Sequence, residues 1–130
     1  MDWGCVSQMN VAMAIWGAMS GAETDMWDRD LEDLMQLFAA EVRRCGGLAL
    51  DVDVLTRHLM LYAAVMGMTW LLNVPALIRG RLPDLGDVKT RLDPRIRDDE
   101  GVRAPLQMLT NVMNLWETHR FGQLLNALPR

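Results

Sequence analysis

Carboxylates are the most concentrated chemistry in this chain. Six of its seventeen acidic residues, Glu23, Asp25, Asp28, Asp30, Glu32 and Asp33, fall in one stretch. Asp25/Asp28 and Asp30/Asp33 are three apart, so each pair shares a helix face and could hold a magnesium ion, as in helical prenyl-transfer sites. That use needs a second acidic motif facing the first, and the sequence offers none. The expectation is a solvated helix start, where the dipole favours negative charge. Asp98-Asp99-Glu100 reads the same way. His58 and His119 have no serine or cysteine paired with them in sequence, and are expected as partly exposed or hydrogen-bonded side chains. Cys5 and Cys45 are not spaced as a C-x-x-C pair and have no nearby histidine, which argues against zinc, and two cysteines are too few for a disulfide framework. Cys45 follows Arg43-Arg44 at a helix carboxyl end, where the dipole raises a thiol pKa, so an inert thiol is expected.

The chain opens with Asp2-Trp3-Gly4. A carboxylate at a strand end can hold a magnesium ion that bridges nucleotide phosphates, and a glycine permits the turn that follows. This element resembles the metal-binding Asp-Phe-Gly of kinases, in the Asp-Trp-Gly form of aminoglycoside phosphotransferase and choline kinase-like enzymes. In that family an all-helical region follows, and one helix often carries a tyrosine after an Asp-rich cap. The run Asp51-Val-Asp-Val-Leu-Thr-Arg-His-Leu-Met-Leu-Tyr62 looks similar. The family's Gly-Asp-Pro is replaced by Cys5-Val-Ser-Gln-Met-Asn-Val. Phosphoryl transfer also needs a phosphate-covering loop, a lysine for the phosphates and a catalytic Asp with a following Asn. Here the one lysine is Lys89, in a charged connection, and neither histidine begins a His-x-Asp loop. The resemblance therefore implies the helical, substrate-pocket part of a phosphotransferase-like protein, inactive alone. It implies Asp2 as a magnesium ligand only once the missing upstream part is supplied. Magnesium and ATP would be cofactors of that complete enzyme, with none held by the isolated chain.

The elements that must position these residues are helices. The chain has 130 residues, 51% hydrophobic and 23% charged, which fits one packed helical domain over 1–130. The segment 9–19 is apolar on nearly every side, as in a buried helix. In the next segment Trp27, Leu31, Leu34, Met35, Phe38 and Val42 fall on one helical face. Thr24 or Asp25 is its expected cap, and Cys45-Gly46-Gly47 its stop. A third helix is expected from a cap at Asp51 or Asp53. It enters a run from Leu59 to Ile78 that holds no charged residue. That run meets the length of a membrane span. Gly67, Thr69, Asn73 and Pro75 within it, and the apolar faces of its neighbours, favour a core helix that Pro75 kinks or ends. Residues 79–103 read as a charged surface connection with one short helix. The last long helix is expected from about Pro105 to Glu117, and a final turn or short helix from Phe121 to Leu128. A possible extended stub at 3–6 is the one departure. The expected fold is all-α, a compact bundle of four to five helices around a central apolar helix.

A net charge of −4 supplies no basic field for nucleic acid. With no signal-peptide start and the long apolar run assigned to the core, the expected location is cytoplasmic and the expected membrane role is none. Eleven methionines and five tryptophans are many for this length, and such residues fill cores or line partner surfaces. Two further readings follow. One is a non-enzymatic interaction module, self-associating through Met- and Trp-bearing surface near the first helix. The other is a helical bundle binding an apolar small molecule, with Trp16, Tyr62, Trp70 and Trp116 as candidate pocket residues.

Overall fold

The computed structural model describes residues 10–127. Asp2-Trp3-Gly4, Cys5 and the expected stub at 3–6 lie outside that range. Seven α-helices, joined by one π-helical and one 3-10 turn, make up the described residues, and there are no strands among them. The fold class is all-α, as the periodicity requires. The helix count exceeds the expected four to five, because the uncharged run breaks into two helices with a separate one at Val74–Arg81, beside the expected short helices at Pro94–Arg97 and Phe121–Asn126.

Helix α1 (Val11–Met19) starts at Asn10, whose side chain accepts from the Ala12 N–H at 2.8 Å. Helix α2 (Thr24–Arg44) buries Trp27, Leu31, Met35 and Ala39 on the expected face. Its cap position is Glu23 rather than Thr24 or Asp25. Thr24 is drawn elsewhere, donating its hydroxyl to Asn111 Oδ1 at 2.9 Å. The helix stops as expected: Gly46 takes φ +83°, the left-handed value that favours glycine.

Helix α3 (Val52–Met66) is capped by Asp51, which accepts from the Val54 N–H at 3.1 Å. It widens into a π-helical turn at Gly67–Leu71 before α4 (Val74–Arg81) begins. Pro75 lies in the first turn of α4, where its missing N–H costs nothing. The uncharged run therefore bends by 42° across the break. No single described helix is long and apolar enough to cross a membrane, although the bent pair passes by length and composition. Helix α3 packs against α1, α2, α6 and α7, and so occupies the central position. Leu59, Met60, Ala63 and Ala64 carry its core contacts.

The charged connection holds a 3-10 turn at Leu85–Asp87 and α5 (Pro94–Arg97). Asp93 caps α5, accepting from the Arg95 N–H at 2.9 Å. The Arg95 guanidinium and that N–H together pull the Asp93 carboxyl down to about 2. Ile96 is the apolar anchor that holds this segment to the core. Helix α6 (Glu100–Thr118) starts five residues before the expected Pro105. Asp99 caps it, accepting from the Gly101 N–H at 2.9 Å. Pro105 sits inside it and costs one backbone hydrogen bond, the one Gly101 C=O would have accepted. Arg120, at φ 48° in the left-handed region, reverses the chain into α7 (Phe121–Asn126). Phe121 is fully buried, with its ring centroid 5.4 Å from that of Trp116.

Gly67 lets the π turn and α6 touch. A Cβ there would come within 2.5 Å of Val112 Cγ1, closer than side-chain carbons approach. Gly67→Ala is expected to destabilise the fold by about 1–3 kcal/mol, the range for overpacking a filled core. Val112→Ala in the same chain should recover part of that loss. A urea titration of both variants measures it, and an unchanged midpoint for the single variant would contradict this packing.

Candidate functional site

The helix geometry divides the acidic cluster. Glu23 and Asp25 border one groove with Arg91, Arg97, Arg103 and Gln107. Asp28 and Glu32 face a different cleft, of about 730 Å³, between α2 and α3. Asp30 is taken up by Arg29, whose Nε and Nη2 donate to its carboxylate at 2.8 and 2.9 Å. That guanidinium holds the Asp30 carboxyl below its ordinary range. The i, i+3 pairs therefore do not converge on one ion. Among the described residues no three His, Cys, Asp or Glu side chains could hold a metal. Asp2, the magnesium ligand implied by the phosphotransferase resemblance, lies outside them.

The α2/α3 cleft gathers polar side chains from three elements. Asp28, Glu32 and Gln36 come from α2, Asp53 and Thr56 from α3, and His119 from the end of α6. The buried ring of Trp27 forms part of its wall. Asn114 Nδ2 donates to Asp28 Oδ1 at 2.5 Å and fixes that carboxylate to α6. Desolvation pushes the His119 imidazole below its ordinary value, and the Asp28 carboxylate works against that shift. The neutral form of His119 is therefore favoured in the folded protein. Its proton is bound more weakly folded than unfolded, so its contribution to stability is present above pH ~6.5 and declines as pH falls below that value. Asp28→Asn is expected to lower the His119 pKa further, by removing the carboxylate charge that opposes the shift; an NMR titration of its ring protons measures the change, and an upward shift would contradict the placement. His58 stands exposed on α3, and Cys45 is an exposed free thiol in the α2 stop, donating to Glu41 Oε1 at 3.8 Å.

The four expected pocket residues do not gather. Trp16 is a core residue, 3% exposed, its ring centroid 5.8 Å from that of Trp27. Tyr62 is half-buried on α3, and Trp116 is half-buried against Phe121. Trp70 stands on the π turn at 72% exposure. Neither the α2/α3 cleft nor the Glu23 groove is lined by any of them. The reason is helical periodicity: side chains at 62 and 70, eight apart, share a face only in an unbroken α-helix, and the π turn rotates the second outward.

That rotation produces a surface the expected pocket did not anticipate. From Leu59 to Ile78 every exposed side chain is uncharged. Val65, Met68, Trp70, Leu72 and Leu77 are the large apolar ones, with Leu72 at 68% exposure. Helix α1 adds to the pattern: it carries no charged side chain, yet buries only Ala12, Ile15 and Trp16 and leaves Val11 and Met13 outside. A signal for this was present in sequence. A run of twenty uncharged residues in a helix must show water whichever face the core does not cover.

No protein-family model, curated protein or solved structure matches this chain.

Proposed function

We propose that this chain is a non-enzymatic helical interaction module that docks a partner on the uncharged face of the π turn and α4. One observation carries this reading: Trp70 and Leu72 stand 72% and 68% exposed, in a segment without a single charge. Large apolar side chains scattered singly over a surface are ordinary, but several within one short uncharged segment mark a contact surface. Tryptophan is also the residue type most enriched at the energetic centres of interfaces. A photo-crosslinking residue placed at Leu72, with a control at exposed Arg43, tests this in the source cell. A protein adduct from position 72 and none from position 43 is expected. No adduct from position 72 would overturn the reading.

A second reading, the acceptor-pocket part of a phosphotransferase-like protein, draws support from the α2/α3 cleft. Asp28, Glu32 and Asp53 would meet the ammonium groups of a cationic acceptor there. Kanamycin is the probe: it should shift the His119 ring resonances at millimolar concentration and low salt. Unmoved resonances would end that reading.

A further inference from the structure

We draw no further inference here: the strongest candidate, the groove where Arg91, Arg97 and Arg103 meet the start of α2, carries nothing because each guanidinium is already engaged by a carboxylate, that of Glu23, Asp98 and Glu100 in turn, and nothing else in the structure points to a ligand there.

Discussion

Asn111→Ala is expected to cost about 3 kcal/mol, a large share of the roughly 5–15 kcal/mol that holds a domain of this size. Asn111 is 0% exposed, and all four of its hydrogen-bonding directions are used or offered. Its Nδ2 donates to the carbonyls of Ser20 at 2.9 Å and Ala22 at 2.8 Å. Its Oδ1 accepts from Thr24 Oγ1 at 2.9 Å and Gln107 Nε2 at 3.1 Å. The amide thus fastens the turn between α1 and α2 to the middle of α6. Truncation leaves the Ser20 carbonyl, inside the protein, with no donor from this side chain, and that desolvated acceptor is the main loss. Ala22 suffers less, because Gln107 Nε2 also donates to its carbonyl at 3.2 Å. Asn111→Asp is the sharper variant. It sets a carboxylate oxygen against two carbonyl oxygens, so the acid must be protonated to donate. Its folded pKa then lies above the unfolded value, and stability present below pH ~4 is lost as pH rises. Urea midpoints at pH 4 and pH 7 measure both effects. A midpoint for Asn111→Asp that rises between those pH values would contradict the network.

This network reaches the surface in a way that explains the charged connection. Gln107 Oε1 accepts from Arg91 Nη1 at 3.1 Å, and the same nitrogen donates to Glu23 Oε2 at 2.7 Å. Arg91 therefore ties the connection to the start of α2, while Ile96 ties it to the core. Nothing local announces this. The partners lie 68 and 16 positions from Arg91 in sequence.

Locally encoded features were the legible ones. The stripe of α2 follows from the spacing of Trp27, Leu31 and Met35, the α3 start from Asp51, and the α2 stop from Gly46. Each depends on residues within a turn or two. The start of α6 was displaced because Pro105 reads as a first-turn residue, whereas the Asp99 cap, six residues earlier, outweighs one lost hydrogen bond. The π turn was illegible because its cause is tertiary: Gly67 seats against Val112, forty-five positions away. Of the candidate site, the chemistry of the residues was legible and their assembly was not. Asp28 and Glu32 were visible as carboxylates, but Asp53 and His119, which join them in the cleft, come from two other elements. The Met and Trp excess signalled contact surface without saying which tryptophan would turn outward.

Trp27 yields the other large effect, and it separates ring packing from ring polarity. Trp27 is 2% exposed and packs against Trp16 at the junction of α1 and α2. Trp27→Ala is expected to cost about 3–5 kcal/mol, the range for emptying a buried aromatic site. The indole Nε1–H has no hydrogen-bond partner, and neither has that of Trp16. A buried donor without an acceptor opposes folding, since water satisfied it in the unfolded chain. Trp27→Phe removes that donor while keeping most of the ring. Its cost is therefore expected to fall below about 2 kcal/mol, less than the lost volume alone would give. Denaturant midpoints for the two variants measure the difference. Equal costs for Phe and Ala would mean that the N–H does find an acceptor in the folded protein. Because Trp27 also walls the α2/α3 cleft, Trp27→Ala should enlarge the space beside Asp28 and admit more water to the cleft side of His119, which is exposed on its other side. Relieved of desolvation, that imidazole should titrate closer to its ordinary value, a rise readable in the same NMR experiment that tests Asp28.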